Sequence, residues 1–138
     1  VPKGKNVYFT SDHHFGAPTK AASKPREERF ISWLDHIKQD ADVLFILGDL
    51  FDFWFEYKYV IPKGFTRVLG KLAELSEQVI EIHFFVGNHD LLMRGYFEEE
   101  LKCLSMPLHQ IKGVKCTRTP TILVIVSIWS RKTEQDTT

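Results

Sequence analysis

Three short apolar runs, Val7-Tyr8-Phe9, Val43 to Leu47 and Ile80 to Val86, each stop abruptly at polar, turn-forming residues: Thr10-Ser11-Asp12, Gly48-Asp49 and Gly87-Asn88. Runs of this kind, rich in Val, Ile and aromatics and ended by Gly, Asp or Asn, read as strands. Between the first two, Phe30, Trp33, Leu34 and Ile37 fall at i, i+3, i+4 and i+7. Between the second and third, Phe65, Val68, Leu69, Leu72 and Leu75 repeat that spacing, which places one apolar stripe on a helix. The resulting order, β-α-β-α-β, points to an α/β fold: a layered β-sheet with flanking helices, whose strands stay apolar because both of their faces are covered. Further on, Tyr96, Phe97 and Leu101 around three glutamates predict a short helix near 95–102. The β-branched stretch from Thr121 to Trp129 predicts a strand, and the polar residues 131–138 a frayed end.

A length of 138 residues with 43% hydrophobic side chains suits one domain with its own core and is too short for two. Lys and Arg balance Asp and Glu at 18 each, so the overall charge carries no nucleic-acid footprint. The charge is uneven, however: residues 1–101 hold 12 basic and 16 acidic side chains, and 102–138 hold 6 and 2. Cys103 and Cys116 lack metal or redox spacing, so free thiols in a reducing compartment are expected. The longest apolar run, Ile122 to Trp129, is far short of the roughly 20 residues a membrane span needs. The chain opens on Val1 rather than Met, as a segment of a longer coding sequence would.

Each strand-ending motif carries metal-binding chemistry: Asp12-His13-His14, Gly48-Asp49-Leu50-Phe51-Asp52 and Gly87-Asn88-His89-Asp90. Ligands of open α/β sheets bind beyond the carboxyl ends of the strands, where all three lie. Carboxylate and amide oxygens suit hard divalent cations, and imidazole adds affinity for Mn²⁺, Fe²⁺ or Zn²⁺. On an extended segment Asp12 and His14, at i and i+2, point the same way and grip one ion, while His13 faces away. Gly48 and Gly87 let the backbone turn or approach a ligand closely. His36, His83 and His109 lie outside any motif and read as surface or core residues.

In this order the motifs resemble the signature of the calcineurin-like metallophosphoesterases, Asp-x-His, Gly-Asp-x-x-Asp and Gly-Asn-His-Asp/Glu. Gly48 to Trp54 with Phe55-Glu56-Tyr57 is similar, more narrowly, to the branch that hydrolyses UDP-2,3-diacylglucosamine. The resemblance covers roughly residues 7–102. It implies half of an α/β/β/α sandwich with a dinuclear centre, of Mn²⁺ or alternatively Fe²⁺ or Zn²⁺. Asp12 and His14 would bind one ion, Asp49 would bridge both and Asn88 would bind the second. His89 would act on the phosphoryl group as the catalytic donor. Asp52 and Asp90 are read as orienting the ligands rather than touching metal, and Arg94 as a candidate for a substrate phosphate. The implied substrate is a nucleotide-linked glycolipid, and the implied location is the cytoplasm, with peripheral contact at the inner membrane. The aromatic segment Phe51 to Tyr59 fits either core packing or a wall for acyl chains, or both for different rings.

Members of this family run well beyond 138 residues and add metal-binding histidines in Gly-His and Gly-His-x-His elements, neither of which occurs here. The likeness fades after Leu101, where the charge also changes sign. Residues 1–102 therefore read as part of the phosphoesterase domain. Residues 103–138 read as its continuation or as a tail outside the family, arising from a premature end or a frame change near 102–106. The alternatives are a phosphoesterase for another ester and an inactive metal-binding segment.

Overall fold

A computed structural model describes residues 6–90 and 92–107. The elements are β1 (Asn6–Thr10), α1 (Lys20–Ile37), β2 (Ala41–Ile46), α2 (Thr66–Glu77), β3 (Glu81–Val86), α3 (Tyr96–Glu99) and β4 (Leu104–Pro107). The strands form one sheet in the order β1-β2-β3-β4, and every neighbouring pair is parallel. The α/β layering expected from the periodicity is what the chain adopts. The expected strand at 121–129, the frayed end at 131–138, His109 and Cys116 lie outside the described residues.

Register explains how the sheet is filled. Tyr8 pairs with Leu44 and Leu44 with Ile82, while Thr10 pairs with Ile46 and Ile46 with Phe84. These two rows are buried on one face, where the apolar stripes of the helices complete the core. On α2 the buried positions are Val68, Leu69, Leu72 and Leu75. Phe65, which the spacing placed first on that stripe, precedes the helix in a left-handed conformation (φ 59°) and is buried all the same.

Two elements differ from the periodicity. The first helix begins a full ten residues before Phe30, capped by Thr19, whose hydroxyl accepts from the Ala22 amide at 3.1 Å. Its buried stripe continues through two polar residues, Ser23 and Glu27. They are tolerated inside because each is satisfied: Ser23 Oγ donates to Glu27 Oε1 at 2.8 Å and accepts from the Gly16 amide at 2.8 Å. The second difference is β4, a short strand beyond Leu101 for which no apolar run announced a partner to β3.

Helices α1 and α2 meet along a charged seam. Lys71 Nζ donates to Asp35 at 2.8 Å and to Glu74 at 2.7 Å, and Lys38 reaches the same two carboxylates at 3.1 and 3.2 Å. Hydrogen bonds from Lys71 and then Lys38 hold both carboxyls below their ordinary range. A carboxyl depressed in the folded state contributes stability that is complete above its unfolded pKa, about 4, and lost as the pH falls through its lower folded value. Thermal melts from pH 6 downward should therefore show a steeper acid decline for the wild type than for an Asp35→Asn/Glu74→Gln variant. Parallel curves would remove the seam from the acid response.

Candidate metal centre

Parallel, in-register strands deliver their following loops to one edge of the sheet, with neighbouring chains about 4.8 Å apart. The loops after β1, β2 and β3 carry the three motifs, and hydrogen bonds continue the pairing beyond the strand ends. Asp12 N–H donates to Gly48 O at 3.2 Å, His14 N–H to Asp49 O at 3.0 Å and Phe15 N–H to Leu50 O at 3.0 Å. The second and third loops are stitched by the His89 amide, which donates to Asp49 Oδ1 at 3.0 Å, and by the Phe51 amide, 3.4 Å from Asp90 Oδ1.

This zipping gathers Asp12, His14 and Asp49, whose candidate ligand atoms all lie within 4.8 Å of one another. The segment bearing the first two is not extended: Asp12 (φ 55°) and His14 (φ 47°) are both left-handed, as is Asp49 (φ 52°). Each such residue costs about 1 kcal/mol or more, a strain the surrounding contacts must hold. Asp12 and His14 do share a side, through this turn rather than through strand alternation. His13 faces the other way, its ring 5.1 Å from that of Phe15 and 4.5 Å from that of Phe30. Burial pushes its pKa down to about 4, so it is neutral at pH 7.

A second group, His14, Asp52 and His89, also brings its candidate ligand atoms within 4.8 Å. Asp52 Oδ1 lies 3.7 Å from His14 Nδ1 and 3.5 Å from His89 Nδ1, placing one carboxylate between two imidazoles. His89 Nδ1 is 2.7 Å from the Asp52 carbonyl oxygen, which can only accept, so Nδ1 carries the proton. That bond, followed by the carboxylates of Asp49, Asp52 and Asp90, raises the His89 pKa. Asn88 is exposed and lines a cleft of about 430 Å³ with Asp52, Phe53, Trp54, His89 and Leu92. Asp90 is fully buried beneath the loops, and burial pushes its carboxyl up to about 6. Arg94 is exposed and lines a different cavity, beside Glu56, Tyr57 and Tyr96, so the structure does not bring it to the Asn88–His89 cleft.

The aromatic segment divides. Phe51 and Trp54 are buried in the core, whereas Phe53 is 64% exposed, Phe55 39%, Tyr57 55% and Tyr59 wholly exposed. Glu56 fixes this alternation by accepting from Trp54 Nε1 at 2.9 Å and from the Tyr96 amide at 3.2 Å. Residue spacing did not single out Thr10, bonded to His13, or Arg26, whose Nη2 donates to the carbonyls of His14 (3.1 Å) and Ala17 (2.5 Å). Nothing in a linear pattern marks either, since both act through partners brought together by the fold.

Residues 5–126 match the family described as calcineurin-like phosphoesterase. The chain belongs to that family. It is similar to the UDP-2,3-diacylglucosamine hydrolase of Porphyromonas gingivalis, 50% identical over 95 residues that make up 69% of this chain and 36% of that protein. It is also similar to the enzyme of the same name from Actinobacillus succinogenes, 30% identical over 106 residues, or 76% of this chain and 43% of the relative. Among solved structures, Pseudomonas putida nuclease MPE matches with a TM-score of 0.49 and 17% identity, over 73% of this chain and 47% of that one. The chain thus spans about two fifths of the length of the two hydrolases.

The residues present suit a divalent cation in this family site. Three donors of mixed carboxylate and imidazole chemistry converge from two loops. The third loop passes so close that a Cβ on Gly87 would fall 2.3 Å from Asp49 Oδ1, and the glycine leaves that carboxylate its place.

Proposed function

We propose that this chain carries the metal-binding part of a hydrolase that cleaves the pyrophosphate of UDP-2,3-diacylglucosamine, giving UMP and 2,3-diacylglucosamine 1-phosphate. The observation that carries the reading is the convergence of Asp12, His14 and Asp49 at the sheet edge, in a chain of which 95 residues align at 50% identity with a hydrolase of that name. Asp12, His14 and Asp49 would hold one ion, and Asp49 with Asn88 a second, with Mn²⁺ the preferred metal. When bound, the ions supply Lewis-acid stabilisation of charge on a phosphoryl group.

The chain's own residues then have separable roles. Asp52 Oδ1 lies 3.7 Å from His14 Nδ1 and is the electrostatic partner of that side of the ring, while Nε2 lies 3.9 Å from Asp12 Oδ1. His89, with Nδ1 committed to the Asp52 carbonyl, keeps Nε2 for a phosphoryl or leaving-group oxygen, and its raised pKa favours the donating form. Asp90 ties the third loop to the second through the Phe51 amide. The exposed ring of Phe53 lines the cleft, and those of Phe55, Tyr57 and Tyr59 follow it on the same segment. This run of exposed rings suits acyl chains and a membrane interface, the setting for a cytoplasmic enzyme working peripherally on a lipid. No helix among the described residues is long and apolar enough to cross a membrane.

The test is a chimera in which the matching residues of this chain replace those of the Porphyromonas gingivalis relative, assayed with Mn²⁺. UMP release from UDP-2,3-diacylglucosamine is the expected outcome. Hydrolysis of a simple phosphodiester without UMP release would move the assignment to another ester, and no hydrolysis of either would reject it.

A further inference from the structure

We propose that His13 is the positioning residue of this centre: its ring, wedged between Phe15 and Phe30 and hydrogen-bonded to Thr10, turns Asp12 and His14 outward together. The inference rests on the reading of those two residues as ligands. His13 Nε2 lies 2.5 Å from Thr10 Oγ1, and Thr10, the last residue of β1, is 2% exposed. The ring thereby joins the loop to the end of the strand, to Phe15 beyond the loop and to Phe30 on α1.

The need for such an anchor is conformational. Asp12 and His14, on either side of His13, are both left-handed, and their side chains are 44% and 33% exposed, so their own packing does little to hold them. Backbone bonds to Gly48 and Asp49 secure the loop on its β2 side. On the side of β1 and α1 the His13 ring holds the loop together with Arg26, which grips the His14 carbonyl, and Ser23, which accepts from the Gly16 amide further along. Drawing the middle side chain inward sends its two neighbours out, and a Thr10–His13 bond of fixed length sets how far the loop stands from the strand end. Without that bond the loop has room to relax toward ordinary backbone angles, carrying Asp12 and His14 apart.

Mn²⁺ titration of the 138-residue chain, followed by electron paramagnetic resonance, tests this with three variants. His13→Phe keeps the ring contacts and loses the hydrogen bond, Thr10→Val removes the partner with little change in shape, and His13→Gln restores a polar atom near the position of Nε2. Outer-shell partners of metal ligands typically contribute 10–100-fold in affinity. His13→Phe and Thr10→Val should each weaken Mn²⁺ binding by about that factor and broaden its spectrum, the double variant should be no worse than either, and His13→Gln should recover part of the loss. Metal-free melting curves identify loss of fold. Should His13→Phe unfold, the near-isosteric Thr10→Val reads the same bond. Wild-type affinity and spectrum in folded His13→Phe or Thr10→Val would overturn the role of His13 and leave the centre standing. A wild-type chain that takes up no Mn²⁺ would overturn the centre itself, and this inference with it.

Discussion

Asp49→Asn is expected to cost Mn²⁺ affinity by more than the roughly 10–100-fold that accompanies loss of an outer-shell partner. The reason lies in how its two oxygens are placed. Asp49 Oδ1 accepts the His89 amide at 3.0 Å while the carboxylate belongs to the three-donor group with Asp12 and His14. Asparagine must keep its one oxygen toward that amide or lose the link between loops. Its NH₂ is then left facing the cation position, where a donor repels a cation and the negative charge is gone. In the active chimera the same change should lower UMP release by about a thousand-fold or more, the scale expected when several kcal/mol of charge stabilisation disappears. Calorimetric Mn²⁺ titration and a UMP assay measure the two effects separately. Binding within a few-fold of wild type would remove Asp49 from the ligand set.

Gly87→Ala should damage the same carboxylate without altering any charge. A Cβ there meets Asp49 Oδ1 at 2.3 Å, its backbone nitrogen at 2.6 Å and its Cγ at 2.9 Å, all closer than such atoms approach. Relief requires the second and third loops to separate, yet Gly48 and the His89 amide hold them together: a Cβ at Gly48 would itself lie 2.9 Å from Gly87 Cα. Gly48, at φ 97°, also requires glycine for its backbone. Forcing one carbon into this contact should destabilise the fold by about 1–3 kcal/mol. Because the displaced group is a ligand, Mn²⁺ affinity should fall along with it. Chemical denaturation and Mn²⁺ titration of the variant check both, and unchanged values in the two would mean the loops do not touch this closely.

The two substitutions differ in what they reveal about the origin of the site. Asp49 could be singled out by eye, because a Gly-Asp pair at the end of an apolar run is a chemical signal in one dimension. The demand for glycine at 87 comes from a contact with a residue 38 positions earlier. The motif places a glycine there, and only the packed loops say what it must avoid.

The same division runs through the rest of the molecule. The three strands and both long helices were legible in sequence because apolar side chains recur at the periods of strand and helix. Of the two sheet faces expected to be covered, one is buried, while Val7, Phe9, Val43 and Phe45 on the other are half-buried among the described residues. The ligand candidates were legible because the apolar runs stop at carboxylate, amide and imidazole. Tertiary structure decided whatever depended on partners distant in sequence. Ser23 and Glu27 are buried because they bond each other and the first loop, so the start of α1 did not follow the apolar stripe. Phe53 and Trp54, adjacent and both aromatic, part company because Glu56 secures the indole of one and nothing comparable covers the other among the described residues. His13 was expected to turn away from the ligands. That its ring would seat against Phe30, 17 residues on, and bond to Thr10 was set by the meeting of β1 and α1, since hydrogen bonds and ring contacts are matters of distance in space that spacing along the chain does not encode.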